Sequence, residues 1–263
     1  MKINNFNEFS RRLATSLFLI FLLICLFLIG NIGISLMVIV LCFLSFSEIY
    51  NLRKSKLKLQ YFITFLLLLY FFMSKSGVLN LHDHLLLVMF YTLSSIIIFG
   101  DLFQKSNIHF SILGFLLNST FFSIIYIISN QNLEYKLVFI IITIISLCDI
   151  FAYLIGKRFG KFKIFPKISP NKSMEGYIGG SFCSLILFAI IYLYLNLKDL
   201  DLILYVIIII VASFIGDLYV SFFKRKLKIK DLGKLFPGHG GVLDRIDSWL
   251  FSFPLSFLLL QIS

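Results

Sequence analysis

Three aspartates in the last quarter of the chain stand inside or beside apolar segments. Asp217 follows an apolar run, and Asp244 and Asp247 open the next one. A carboxylate among apolar residues needs a cation, a proton or a hydrogen-bonding partner, because burying the bare charge is costly. Asp244 and Asp247 lie one turn apart on a predicted helix and would share a face. The three predict a site for a hard divalent cation such as Mg²⁺; capping of the helix by Asp244 is the alternative.

The segment between Asp217 and Asp244 is basic and rich in glycine. Among its polar residues and closing glycines are Ser221, Lys224, Arg225, Lys230, Asp231, His239, Gly240 and Gly241. Cationic side chains neutralise phosphate charge, and glycines let backbone N–H groups approach an anion. A basic loop alone is more often a solvated surface. Next to three carboxylates, it predicts a polyphosphate held together with a metal ion.

A further carboxylate, Asp149, lies late in an upstream apolar segment. Asp149, Tyr153, Gly156 and Gly160 recur at helical spacing, so on a continuous helix they form one stripe. The glycines would let another helix or a ligand approach closely. The cost of burying a carboxylate favours a functional Asp149, and a structural hydrogen bond is the alternative.

The loop that follows this stripe carries another group of polar residues. Ser169 and the proline after it predict a turn, and Lys172 is placed to contact a phosphate. Ser173 is expected to cap the next helix, with Glu175 in its first turn. Capping accounts for Ser173 and Glu175 without catalysis.

Together these residues resemble the signature of the phosphatidate cytidylyltransferase family, also called CDP-diacylglycerol synthases. The similarity runs over 27 consecutive residues, from Ser221 to Asp247. The segments from Asp149 to Gly160 and from Ser169 to Gly180 are similar to further family segments. The resemblance therefore covers about residues 149–250, whereas the N-terminal half is similar only in its hydrophobicity and length.

The resemblance implies a polytopic membrane enzyme that joins CTP to phosphatidate, releases diphosphate and supplies CDP-diacylglycerol to phospholipid synthesis. It also implies dependence on Mg²⁺, with a second cation left open, and a homodimer among membrane lipids. The expected metal ligands are Asp217, Asp244 and Asp247. The other expected catalytic residues are Lys224, Arg225, Lys230, Asp231, His239 and Arg245. The expected substrate-binding residues are Asp149, Tyr153, Ser169, Lys172, Ser221, Gly240 and Gly241.

The elements that must position these residues are predicted to be membrane helices. The chain has 263 residues, 59% hydrophobic and 14% charged, whereas about a quarter of the residues in a soluble domain are charged. Apolar runs of about 20 residues are typical of membrane-spanning helices. The sequence thus predicts an all-α polytopic membrane protein with about nine spans. They are residues 13–30, 32–49, 60–74, 84–100, 109–129, 136–156, 174–195, 202–223 and 242–261.

The chemistry divides the chain near residue 135. Residues 1–135 are expected to form a scaffold of membrane helices, with a role in dimerisation left open. Residues 136–263 are expected to carry the catalytic site and its cytoplasmic basic loops. In the first part, the first apolar run is expected to be an uncleaved anchor rather than a signal peptide. The cluster His82-Asp83-His84 could bind a metal, but an ordinary polar loop is the favoured interpretation.

Several other functions are disfavoured by the sequence. The net charge of +11 sits in short loops between apolar runs, which indicates topology and contact with anionic lipids rather than nucleic-acid binding. A transporter would be expected to show an inverted repeat, and none is visible. A CDP-alcohol phosphotransferase would carry an Asp-Gly pair, which this sequence lacks. A related enzyme acting on another lipid phosphate, such as an isoprenoid ether lipid, stays open.

The distribution of basic residues predicts the orientation. If the N-terminus is cytoplasmic, nine spans place 21 of the 24 Lys and Arg residues on the cytoplasmic side. Cytoplasmic loops of membrane proteins carry such an excess of Lys and Arg. We therefore expect a protein of the bacterial inner membrane whose C-terminus lies outside the cytoplasm.

Reporter fusions near residues 165 and 230 should both report a cytoplasmic location. Fusions that report opposite sides would contradict the nine-span arrangement.

Overall fold

The computed structural model describes residues 21–22, 24–53, 108–129, 134–194, 201–233, 235 and 240–262. Regular secondary structure in these ranges is helical, apart from an isolated β-bridge between Lys163 and Ser173. The predicted spans 60–74 and 84–100, half of 13–30, the His82-Asp83-His84 cluster and His239 lie outside the described residues.

The described ranges contain helices of two lengths. They are α1 (Asn31–Arg53), α2 (Ile108–Ser129), α3 (Glu134–Phe159), α4 (Met174–Tyr194), α5 (Asp201–Lys226), α6 (Leu243–Ile246) and α7 (Trp249–Ile262). In length and composition α1, α3 and α5 are able to cross a membrane, and α2, α4 and α7 contain shorter apolar helices. The prediction of an all-helical membrane protein is confirmed at this level, while the count of nine spans and the orientation stay predictions.

Two helix starts follow directly from local sequence. Gly30, just before α1, has φ of 77°, a left-handed conformation that favours glycine. The predicted break between the first two spans falls at this residue. At the start of α4, Ser173 Oγ accepts a hydrogen bond from the N–H of Gly176 at 3.2 Å. This bond confirms the predicted N-cap.

The prediction of one continuous last span over residues 242–261 was wrong. The short α6 ends at Ile246, and α7 begins only at Trp249. The backbone turns at Asp247, whose own carboxylate accepts the N–H of Ser248 at 2.9 Å. An aspartate that bonds to nearby backbone competes with helix continuation. Asp244 and Asp247 therefore do not share one face of one helix.

The described residues form two compact units. The first contains the chain up to residue 135 together with Ile229–Ile246. The second contains Lys136–Lys228 together with the chain from Asp247 onward. The first unit includes α1, α2 and α6, and the second includes α3, α4, α5 and α7. Both therefore contain residues of the signature that was recognised in the sequence.

Within the second unit, glycines let helices and backbone approach closely. A Cβ at position 180 of α4 would lie 2.8 Å from two backbone atoms of α3, the nitrogen of Ala152 and the carbonyl oxygen of Cys148. A Cβ at position 176 would lie 2.6 Å from the carbonyl oxygen of Ala152. On α5, Gly216 packs against the carbonyl of Asp247. The partner expected beside the Asp149 glycine stripe is thus α4.

The glycines of α4 predict a difference between two adjacent substitutions. Gly180→Ala would press a methyl group into the backbone of α3, which cannot rotate away. Gly179→Ala would meet only the side chain of Ile155, which can change rotamer. We expect Gly180→Ala to destabilise the protein by about 1–3 kcal/mol, as overpacking does. Gly179→Ala should cost less, because alanine also favours the helix.

Thermal unfolding of the two variants in the same detergent measures this difference. The midpoint should fall by several degrees more for Gly180→Ala than for Gly179→Ala. Equal midpoints would mean that α3 and α4 do not make this close contact.

Candidate active site

A cavity of about 310 Å³ in the second unit collects much of the predicted chemistry. Its polar lining residues are Asp149, Tyr153, Ser169, Asn171, Lys172, Ser173, Tyr177, Asp217, Asp247 and Ser248. They come from α3, the 160–173 loop, α4, α5 and the turn before α7. The volume is at the lower end of the range for small-ligand sites.

The ammonium group of Lys172 forms an ion pair with the carboxylate of Asp217. Both side chains are mostly buried, with 19% and 22% of their surfaces exposed. In such surroundings an isolated charge is expensive, and a partner of opposite sign offsets much of the cost. The pair joins the loop before α4 to the C-terminal half of α5. It also places the predicted phosphate-binding lysine beside a predicted metal ligand.

The other two carboxylates of the cavity are joined through Ser248. The hydroxyl of Ser248 donates to Asp149 Oδ2 at 3.0 Å, and its backbone N–H donates to Asp247 Oδ1 at 2.9 Å. Asp149 therefore accepts the structural hydrogen bond that was one of its two open interpretations. It also lines the cavity, and its functional role stays a prediction.

The loop that carries Lys172 is fixed at several points. The backbone N–H of Phe162 donates to both carboxylate oxygens of Glu175, at 3.0 and 3.3 Å. The N–H of Met174 donates to the carbonyl of Phe162 at 2.9 Å. From α5, Arg225 Nε donates to the carbonyl of Ile168 at 3.0 Å. Arg225, predicted to meet phosphate, thus also holds the loop on which Lys172 stands.

Sequence reasoning assigned no role to three polar residues of this cavity, Asn171, Tyr177 and Ser248. The Tyr177 hydroxyl is buried and has no hydrogen-bond partner in the described structure, and its ring packs on Phe214 at 4.1 Å between centroids. Tyr177 lies one turn after the capping Ser173, so helical spacing from the cap could have found it. Ser248 follows Asp247 directly, but a lone serine carries no signal of its own.

Asp244 lies in the first unit and contacts the glycine-rich loop. Its Oδ2 accepts the backbone N–H groups of Leu232 and Gly241, each at 2.9 Å. Gly240 has φ of 82°. The sequence predicted that backbone N–H groups of these glycines approach an anion. In this structure the Gly241 N–H donates to the carboxylate of Asp244. The roles of Gly240 and Gly241 at a substrate phosphate stay predictions.

The remaining predicted residues that the structure describes are not among those that line the cavity. Ser221 is buried on α5, one turn after Asp217, and Lys224 lies in the last turn of that helix. Lys230, Asp231 and Arg245 are exposed residues of the first unit. Their proposed contacts with phosphates stay predictions.

The donor chemistry of the cavity fits a divalent cation. The carboxylates of Asp149, Asp217 and Asp247 are hard oxygen ligands, and the Lys172 ammonium shows that positive charge is accommodated at Asp217. Within the described residues, no three His, Cys, Asp or Glu side chains form a ready-made metal site. A cation here would complete its shell with water or phosphate oxygens, as Mg²⁺ commonly does.

A family comparison covers nearly the whole chain. Residues 10–263 match the model described as the cytidylyltransferase family. The chain belongs to this family. The family membership predicted from the signature is therefore confirmed, and the match extends through the N-terminal half that showed no specific resemblance.

Similar proteins in staphylococci carry the name phosphatidate cytidylyltransferase. The Staphylococcus haemolyticus protein is 32% identical over 256 residues, which cover 95% of this cytidylyltransferase and 98% of the relative. The Staphylococcus saprophyticus protein is 41% identical over 144 residues, 54% of this chain and 55% of that protein. The Staphylococcus aureus (strain COL) protein is 43% identical over 141 residues, 53% and 54% of the two chains. The chain thus spans about half the length of the last two.

The cavity predicts a loss of activity in Asp217→Asn. The amide keeps the shape of the carboxylate but removes the charge that pairs with Lys172 and attracts a cation. We expect cytidylyltransferase turnover to fall at least about 10-fold, with a higher Mg²⁺ requirement. The control is Asp201→Asn, at the other end of α5 and about 24 Å away along the helix. Normal turnover and normal Mg²⁺ dependence in Asp217→Asn would refute its metal role.

Proposed function

We propose that this cytidylyltransferase transfers CMP from CTP to phosphatidate, which yields CDP-diacylglycerol and diphosphate at the cytoplasmic face of the membrane. The observation that carries the proposal is the cavity in which three carboxylates and Lys172 meet beside apolar helices. The names of the staphylococcal relatives agree with this activity, one of them over 98% of its length. A membrane-embedded polar cavity suits a reaction between a lipid phosphate and a soluble nucleotide.

The reaction needs charge neutralisation more than acid–base chemistry. A phosphate oxygen of phosphatidate attacks the α-phosphorus of CTP in line with the leaving group. The new P–O bond forms as the bond to the bridging α–β oxygen breaks, and diphosphate leaves with that electron pair. Because the nucleophile is already an anion, no strong general base is required. Positioning and electrostatic stabilisation then supply most of the catalysis.

The cavity residues suit these requirements. Lys172 would neutralise a phosphate oxygen, and the buried hydroxyl of Tyr177 would donate a hydrogen bond to one. Ser248 keeps Asp149 and Asp247 in place through its two hydrogen bonds. Asp217 and Asp247 would hold Mg²⁺, which when bound supplies Lewis-acid neutralisation of phosphate charge. Asp244 stays in the proposed ligand set on the strength of the sequence.

The basic residues outside the cavity complete the proposal. Lys224 and Arg225 follow Asp217 along α5, and they would attract the triphosphate together with Lys230 and Arg245. His239 and the two glycines after it would support the leaving diphosphate. We further propose that the protein is a homodimer in a bacterial inner membrane. Its orientation would open the site toward cytosolic CTP.

Direct assay of the purified full chain tests the function. With CTP, phosphatidate and Mg²⁺ we expect equimolar CDP-diacylglycerol and diphosphate. Lys172→Gln should lower kcat/KM at least about 10-fold, because a buried carboxylate and a substrate phosphate both lose their cation. Lys198→Gln, in a predicted loop on the other side of the membrane, is the matched control and should behave like the parent.

A parallel reaction with an isoprenoid ether-lipid phosphate in place of phosphatidate tests the lipid class. Product from that lipid but none from phosphatidate would overturn the proposed substrate. No liponucleotide from either lipid would overturn the proposed activity.

A further inference from the structure

The carboxylate of Glu48, on α1, is bonded to the backbone of the signature loop. Glu48 Oε1 accepts the N–H of Val242 at 2.8 Å, and Oε2 accepts the N–H of Leu243 at 3.0 Å. Glu48 is only 8% exposed. It lies in the N-terminal half, where the sequence predicted a scaffold without chemistry. Glu48 thus accepts hydrogen bonds from two backbone amides that lie 194 and 195 residues later in the sequence.

Two glycines of the signature make room for this carboxylate. A Cβ at position 241 would lie 2.5 Å from both carboxylate oxygens of Glu48, and one at position 233 would lie 2.6 Å from its Cδ. Real Cβ atoms do not approach so closely. Gly233 and Gly241 are therefore required at these positions because Glu48 packs directly on the loop backbone.

Glu48 and Asp244 organise the same loop. Asp244 accepts the N–H groups of Leu232 and Gly241, while Glu48 accepts those of Val242 and Leu243. A Cβ at Gly240, whose φ is 82°, would lie 2.7 Å from Asp244 Oδ2. Four backbone N–H groups of this segment are thus committed to two carboxylates.

This arrangement is costly for a purely structural cap. Two carboxylates of like charge meet the same loop, and that of Glu48 is buried. Helix starts are ordinarily capped by a nearby Ser, Thr, Asp or Asn, as Ser173 caps α4. A remote buried glutamate is better explained by the need for one defined loop conformation beside a functional aspartate.

We propose that Glu48 is a positioning residue for the cytidylyl transfer, which fixes the backbone of residues 241–243 and through it the orientation of Asp244. This inference rests on the proposed function. It gives the N-terminal half a direct part in the reaction, because α1 supplies the acceptor that determines the conformation of the loop. Glu48 itself does not touch the substrate.

Glu48→Gln tests the role while changing the side-chain size little. The amide nitrogen that replaces one oxygen cannot accept a hydrogen bond, so one of the two backbone N–H groups loses its acceptor. Glu48→Asp keeps both oxygens and the charge on a shorter side chain, and it serves as the conservative variant. The matched control is Ser45→Ala. Ser45 is fully buried on the same helix, and its hydroxyl donates only within the helix, to Leu41 at 2.6 Å.

Two measurements on the full-length protein separate positioning from general stability. In Glu48→Gln we expect faster amide hydrogen exchange at residues 241–243, kcat/KM lower by at least about 10-fold, and a higher Mg²⁺ concentration for half-maximal rate. Glu48→Asp should recover part of the activity, and Ser45→Ala should match the parent in all three. A smaller folded fraction would lower the rate but would not shift the Mg²⁺ requirement.

Activity and Mg²⁺ dependence in Glu48→Gln equal to those of Ser45→Ala would overturn the proposal. So would a rate loss that only follows the loss of folded protein. If Glu48→Gln does not fold, Glu48→Asp carries the same comparison. An inactive parent protein would refute the proposed function instead, and the exchange measurement would still decide whether Glu48 holds the loop.

Discussion

A carboxylate placed among apolar helices must be matched by a cation or by hydrogen-bond donors, and this requirement organises both units of the protein. In the second unit, the Lys172 ammonium meets Asp217, and Ser248 meets Asp149 and Asp247. In the first unit, backbone N–H groups meet Glu48 and Asp244. Burial makes each unpaired charge expensive. The geometry of the loops around these residues therefore follows from where donors can be supplied.

Glycine is the residue that makes these pairings sterically feasible. Gly176 and Gly180 let α4 lie against the backbone of α3, next to the cavity that Asp149 lines. Gly233 and Gly241 admit the carboxylate of Glu48 to the loop backbone. In both places the space that a side chain would need is occupied by backbone atoms or by a charged group. The glycines thus serve close approach within the protein. For the glycines of the basic loop, the sequence pattern alone had favoured approach to an anion.

The proposed chemistry draws on the same compensation. A triphosphate and a lipid phosphate bring several negative charges to a site already lined by carboxylates. Lys172 and a divalent cation would offset this charge, and residues such as Glu175 and Arg225 hold the Lys172 loop in place. The tight fixing of that loop is consistent with catalysis by positioning, in which a small displacement of a charged group has a large effect on rate.

Several residues that the sequence singled out by type lie together in the structure, while their catalytic roles stay predictions. Asp149, Asp217 and Asp247 were recognised because carboxylates next to apolar runs are costly, and Lys172 because a loop lysine can contact a phosphate. All four line one cavity. The Ser173 cap was predicted from its position before a helix. Tyr177, Ser248 and Glu48 were not assigned roles, because a tyrosine, a serine or a glutamate at the end of an apolar run has many ordinary uses. Their importance depends on neighbours that are distant in the sequence.

The sequence by itself determined the helical membrane class and the family, because hydrophobic composition, charge placement and a 27-residue signature are local properties of the chain. Tertiary structure decided which groups satisfy which carboxylates. It ended α6 at Ile246, where Asp247 bonds to the next backbone N–H, so Asp244 and Asp247 do not stand on one continuous helix. It also brought Glu48 to Val242 and Leu243. Hydrogen bonds between residues almost two hundred positions apart follow from how helices pack, and no local pattern encodes that packing.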